Sequence, residues 1–130
     1  YDFKKQFPNF MIYGIDISDY AIENSLEDVR QNLKVGSCDD IPFKDNYFDL
    51  VISINTIHNL DKEGCARSLK EICRVSKKNK FIIVDAYSND EEKKRMYSWN
   101  LTAKTIMHQE DWIKFFNENN YDGDYFWFTP

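Results

Sequence analysis

The 130-residue chain is 42% hydrophobic and 16% aromatic with only four glycines and three prolines, a composition that buries one core and excludes disorder. Its formal charge of -5, with no dense lysine or arginine run, gives no electrostatic footprint for phosphate backbones or anionic lipid, so neither nucleic acid nor membrane is expected as a partner. No apolar run approaches the ~18 residues of a membrane span and no signal-peptide pattern opens the chain, and three cysteines without a C-x-x-C spacing point to a reducing, cytoplasmic compartment.

Tyr1 to Gln6 reads as the last turn of a helix, stopped by Phe7-Pro8-Asn9. The run Phe10 to Ile17 is apolar almost throughout and predicts a buried strand, after which Ser18 or Asp19 caps a helix with Tyr20, Ala21, Ile22 and Leu26 on its apolar face. A short strand follows around Leu33 to Ser37, then a polar loop from Asp39 to Asn46, then a second long apolar strand, Phe48 to Ile54. Asp61 caps a helix to about Val75 whose stripe of Cys65, Leu69, Ile72 and Cys73 makes the cysteines small buried hydrophobes.

Lys77, Lys78 and Lys80 cluster beyond that helix, and Asn79 offers a turn before the strand FIIVDAY. A charged helix begins near Asp90, an irregular stretch runs over SWNLTAKTIMH, and a helix near Gln109 to Asn117 carries Trp112, Ile113, Phe115 and Phe116. Tyr125 to Thr129 is the final strand. Strands alternating with helices predict one α/β domain over residues 1–130, with a mostly parallel sheet covered by helices on both faces and ligands bound at the carboxyl ends of its strands.

Asp16 closes the first strand, where a carboxylate can accept both hydroxyls of a ribose; equally, it serves as a helix-capping or solvated acid. The second strand end, VGSCDDIPFKDNYFD, is similar to the G-D-A-x-x-L-P-F-x-D-x-S-F-D stretch of the small-molecule class I S-adenosylmethionine-dependent methyltransferases, of the type 11 kind. Ser37 stands where that family has aspartate, Cys38 where it has alanine, Ile41 for leucine and Tyr47 for serine. FDLVISINTIHNL resembles the family's F-D-x-V-x-S-x-x-x-L-H-H-L segment, and FIIVDAY its next strand, so the resemblance runs from about Phe10 to Tyr87.

The resemblance implies a Rossmann-like fold and S-adenosyl-L-methionine as methyl donor for a small-molecule acceptor. It implies that Asp16 takes the ribose, Ile17 lies against the adenine, and Ser37 with the Cys38 backbone meets the adenine edge. That contact is weakened by a serine in place of a carboxylate, or shared with Asp39 or Asp40. Ser53 to Asn55 would approach the methionine end, and His58, Asn59, Asp85, Tyr87 and Trp99 the acceptor. His58 is either the base that an oxygen acceptor needs or a histidine bonded structurally at the helix entry. His108 reads as a turn or capping residue, and two histidines fifty positions apart make no zinc site.

No N-P-P-Y or D-P-P-Y tetrapeptide follows the Phe48 strand, which argues against the family's amine-methylating nucleic-acid branches. The family's G-x-G-x-G loop and the strand before it have no counterpart either, since Gly14, Gly36, Gly64 and Gly123 lie far apart. The resemblance therefore implies a fold truncated at the N-terminus. Its missing first strand belongs between the strands ending at Asp16 and Ile54, and a final antiparallel strand is cut off after Pro130. Each backbone group left without a ladder partner costs ~1–3 kcal/mol, so the fragment itself is expected to turn over weakly or not at all. A non-catalytic methyltransferase-like binding module and a nicotinamide-dependent oxidoreductase, which shares the acid at the second strand end, stand as the alternatives.

Overall fold

The computed structural model describes residues 2–130 and alternates short strands with helices. Helix α1 (Asp2–Gln6) ends before Pro8; Tyr1 of the expected helical tail lies outside the described residues. The apolar run from Phe10 becomes a strand only at its far end, β1 (Gly14–Asp16), because its ladder partner β2 (Leu33–Val35) offers three residues. Ser18 caps α2 (Asp19–Glu23) by accepting the Ala21 N–H at 3.2 Å; Leu26 falls outside that helix and precedes α3 (Glu27–Arg30).

Strand β3 spans Phe48–Ile54, a 3-10 turn spans Ile57–Asn59, and Asp61 caps α4 (Lys62–Val75) by accepting the Gly64 N–H at 2.8 Å. Strand β4 (Ser76–Tyr87) begins earlier than the FIIVDAY run, because the lysine cluster is part of it. Asn79 makes no turn there: Phe48 pairs with Ser76 but Leu50 with Asn79, so the irregularity is absorbed as a shift of register within the ladder. The remaining elements are α5 (Asp90–Trp99), β5 (Met107–His108), α6 (Gln109–Glu118) and β6 (Asp124–Phe128).

Every strand pairing is parallel. The long strand β4 is the centre, with β3 along one part of it and with β6 and then β5 as further partners. Helices α4 and α6 bring Cys65, Leu69, Ile72, Val75, Trp112, Phe115 and Phe116 onto Ile82, Val84 and Ala86, and this cluster is the core. The register aligns Ile54, Ile83 and Phe126 on the opposite face. There Trp99 of α5 packs its ring 5.1 Å from Phe128, while Leu50, Ile54 and Phe126 stay exposed.

The parallel sheet is split. β1 and β2 form one unit, β3 to β6 the other, and β1 does not pair with β3. Between them lies a cavity of about 240 Å³, with Gly14 and Ile15 on one wall and Leu50 to Ser53 on the other. Tyr13 links the two units through rings rather than a ladder, its centroid 5.8 Å from Phe43, 6.0 Å from Tyr47 and 5.8 Å from Phe48.

The core stands or falls on α4. Leu69 is fully buried within it, so Leu69→Ala is expected to lower the unfolding free energy by about 2–5 kcal/mol in urea denaturation.

Candidate functional site

The candidate site residues lie at the carboxyl ends of four strands, β1, β2, β3 and β4. At the end of β1, Asp16 turns its Oδ1 back to accept the Ser18 N–H at 2.9 Å, which fixes the carboxylate's orientation while the residue stays exposed. Ile17 beside it is 77% exposed, an apolar surface with no protein covering it. Ser37, just past the end of β2, donates its hydroxyl to Asp39, and Asp39 also accepts from Arg67 at 2.9 Å. The Ser37 hydroxyl first and the guanidinium second hold the Asp39 carboxyl below its usual range.

The loop after Cys38 is fixed by two side chains of α4 that the sequence reading passed over. Arg74 donates through Nη1 to Phe43 O and Asp45 Oδ1, both at 2.8 Å, and through Nη2 to Ile41 O at 2.9 Å. Glu71 accepts the Ile41 N–H at 2.8 Å and is held below its usual pKa by Arg74. The E-x-x-R spacing on one helix face was the available signal; its target, a loop about thirty residues earlier, was not visible. Cys38 accepts from Ser68 at 3.3 Å, and burial pushes its thiol up, so it is an inert wall of the cavity.

At the ends of β3 and β4 three buried oxygens have no hydrogen-bond partner among the described residues: Ser53 Oγ, Asn55 Oδ1 and Asp85 Oδ1. Asn55 turns the chain with φ 50°, a conformation asparagine tolerates better than most residues, and its carbonyl oxygen accepts from Asn59 Nδ2 at 3.3 Å. Leaving such atoms unsatisfied costs ~1–3 kcal/mol each, so their presence at strand ends marks a place built for a ligand's donors. S-adenosylmethionine presents an ammonium group and ribose hydroxyls, and the acceptors Asn55, Asp85 and Asp16 suit those groups. The residues present fit the donor.

His58 is 4% exposed and both ring nitrogens face Asp85. Its Nδ1 accepts the Asp85 backbone N–H at 3.0 Å, and its Nε2 lies 3.5 Å from Asp85 Oδ2. The carboxylate alone would favour an imidazolium, but a nitrogen that accepts a hydrogen bond cannot carry a proton. Burial likewise pushes the pKa down to about 4, so the ring is neutral. The expectation of a proton-accepting His58 does not suit this geometry; the ring is bonded to Asp85 of β4 rather than to the helix entry that the alternative named. Trp112 Nε1 donates to Asp85 O at 3.0 Å and completes the buried mount of that aspartate, which is 1% exposed.

Asn59 accepts from Thr102 Oγ1 at 3.0 Å, so the segment carrying Trp99 is tied to the turn after β3. Tyr87 stacks edge-on against His108, 5.6 Å between centroids, and His108 accepts the Glu110 N–H at 3.2 Å as the cap of α6. Asn59, Tyr87 and Trp99 thus lie with the buried Asp85 on the β3–β6 side, while Asp16, Ile17, Ser37 and Cys38 belong to the β1–β2 side, where Cys38 lines the cavity. No cluster of three or more metal-ligating side chains occurs among the described residues.

A family model described as "Methyltransferase domain" matches residues 2–84. The chain is 27% identical over 109 residues to a tRNA (carboxymethyluridine(34)-5-O)-methyltransferase of Arabidopsis thaliana, covering 82% of this chain and 26% of that protein. Its fold is similar to a chain in the complex between the Haloferax volcanii Trm112 methyltransferase activator and a methyltransferase. That match has a TM-score of 0.67 and 20% identity over 89% of this chain and 54% of the other. The chain therefore spans about a quarter of its curated relative and about half of the solved one.

The expectation of a small-molecule acceptor with no nucleic-acid partner is overturned by the tRNA methyltransferase relative. Net charge averages over the whole surface, and a chain at -5 can still carry a local cationic face.

Unfolding frees an imidazole that titrates near 6.5, so below that pH the unfolded chain binds a proton the native chain refuses until about pH 4. Stability from His58 is therefore complete above pH 6.5 and falls by about 2 kcal/mol between pH 7.5 and pH 5. The Asp85 carboxyl, pushed up by burial, works the opposite way, so the measurement is the difference between wild type and His58→Asn in denaturant titrations. The variant is expected to lose the downward slope.

Proposed function

Because the chain belongs to the methyltransferase domain family, we propose that it forms the catalytic domain of an S-adenosylmethionine-dependent methyltransferase acting on tRNA, with a modified uridine as acceptor. The observation that carries this reading is the set of orphaned buried oxygens on Ser53, Asn55 and Asp85, opposite the exposed carboxylate of Asp16. When bound, the sulfonium donor supplies an activated methyl group that needs no metal and no covalent enzyme intermediate.

Each residue then has a bounded task. Asp16, already oriented by the Ser18 N–H, accepts from the ribose hydroxyls. Ile17 and the loop held by Arg74 cover the adenine, with Ser37 committed to Asp39 and the pair offering its remaining lone pairs to the exocyclic amine. Ser53, Asn55 and Asp85 take the amino-acid end. Asn59, Tyr87 and Trp99 form the rim that admits the acceptor and excludes water.

The state of His58 narrows the acceptor. A carboxylate is ionised at neutral pH and attacks a methyl carbon without surrendering a proton, so it needs no base. A neutral imidazole turned wholly onto Asp85 suits such an acceptor, and the carboxymethyl group named for the Arabidopsis relative is one. His58 is then a positioning residue that keeps Asp85 in place.

In titration calorimetry the protein is expected to bind S-adenosylhomocysteine, and Asp16→Ala to weaken that binding at least tenfold because both ribose hydroxyls lose their acceptor. No binding by the wild type would sink the enzyme reading in favour of a non-catalytic module. Labelled methyl transfer to tRNA that carries carboxymethyluridine at position 34, with none to tRNA lacking the carboxyl, is the expected acceptor profile.

A further inference from the structure

Resting on the tRNA reading above, we propose that residues 93–104 form the RNA-gripping surface of the domain, with cations for phosphates and exposed rings for bases. The segment K-K-R-M-Y-S-W-N-L-T-A-K holds four cations and no acid, and it follows Asp90, Glu91 and Glu92 in the first turn of the same helix, of which Glu92 attracts Arg95. Lys93, Lys94, Arg95 and Lys104 are exposed, and none takes part in a salt bridge among the described residues. By contrast Arg67, Arg74, Lys77 and Lys80 are each neutralised by a carboxylate. Other cations outside the salt bridges, among them Lys34, Lys44, Lys62 and Lys114, are scattered along the chain, whereas these four fall within twelve residues.

The aromatic component is equally local. Tyr97 is 56%, Trp99 50% and Leu101 94% exposed, an apolar strip that burial would otherwise have claimed. On α5, Lys93 precedes Tyr97 and Arg95 precedes Trp99 by one helical turn, so each ring has a cation beside it. Alternating rings and cations is how single-stranded nucleic acid is held, bases on the π-faces and phosphates on the charges. Met96, the buried residue of the helix, lies between the Lys93/Tyr97 row and the Arg95/Trp99 row and anchors the helix, so the two rows flank its buried side.

The strip is also mounted at the mouth of the site. Lys104 and Thr105 both donate their backbone N–H to His58 O at 3.0 Å, and Thr102 Oγ1 donates to Asn59 Oδ1 at 3.0 Å. The Lys93 ammonium lies 5.4 Å from the ring centroid of Tyr87, at the end of β4. The same turn that carries His58 therefore positions the strip, and an RNA bound there presents a nucleotide to the rim of Asn59 and Tyr87.

The test uses the intact protein and a fluorescein-labelled tRNA anticodon stem-loop, with anisotropy read between about 50 and about 200 mM salt. Lys93→Gln/Lys94→Gln/Arg95→Gln is expected to weaken binding about tenfold or more and to flatten the log–log salt slope by about 2, while S-adenosylhomocysteine affinity stays at the wild-type value. Trp99→Ala is expected to weaken binding about fivefold or more with the salt slope unchanged. Wild-type affinity and slope in the triple variant would overturn the proposal and leave the tRNA reading intact. Wild type that binds S-adenosylhomocysteine but not the stem-loop would sink both. A sedimenting dimer that Leu101→Ser dissociates, with RNA binding unaltered in every variant, would reassign the strip to contact between copies and also overturn the proposal.

Discussion

The parallel ladder along β4 is the constraint on which the rest of the molecule depends. Twelve residues of one strand, Ser76 to Tyr87, engage β3, β6 and β5, so the backbone of the buried core is satisfied by this strand's own pairings. Its apolar face gathers α4 and α6, and its carboxyl end delivers Asp85 and Tyr87. Because Asn55 N–H donates to Ile83 O at 3.0 Å, the turn after β3 inherits its position from the same strand. Site geometry on this side is thus a direct product of ladder register.

Much of this was legible in the sequence wherever the signal was local. The run Phe48–Ile54 is a strand over those very residues, and the helix from the Asp61 cap to Val75 ends where periodicity ends it. The Phe10 run misled because strand length is set by the partner, and β2 offers only Leu33 to Val35. Lys80, one of the lysine cluster beyond α4, is buried with its ammonium on Asp122, 2.8 Å away and forty-two positions later in number. Arg74 and His58 share that property. Their roles lie in groups distant along the chain, the carbonyls of Ile41 and Phe43 and the peptide N–H of Asp85, which no window of sequence brings together.

Electrostatics shows the same division between sum and arrangement. A balance of -5 counted every cation once, although several are consumed by partners inside the fold. What remains accessible to a ligand depends on pairing, and pairing belongs to tertiary structure. The place of Asp16 at the end of β1 could be read from sequence because a strand end has a defined direction; the distribution of free positive charge could not.

The division of the sheet makes the proposed donor-binding surface a two-body arrangement. Asp16 and Ile17 ride on the β1–β2 unit, Ser53, Asn55 and Asp85 on the other, and the aromatic contacts of Tyr13 bridge the two without a backbone hydrogen bond between β1 and β3. A molecule that touches both sides is therefore also a crosslink. Its free energy of association includes the work of fixing their separation, and mechanical coupling of the halves and affinity for the nucleoside become linked quantities: whatever stiffens the gap tightens the grip, and whatever is gripped stiffens the gap.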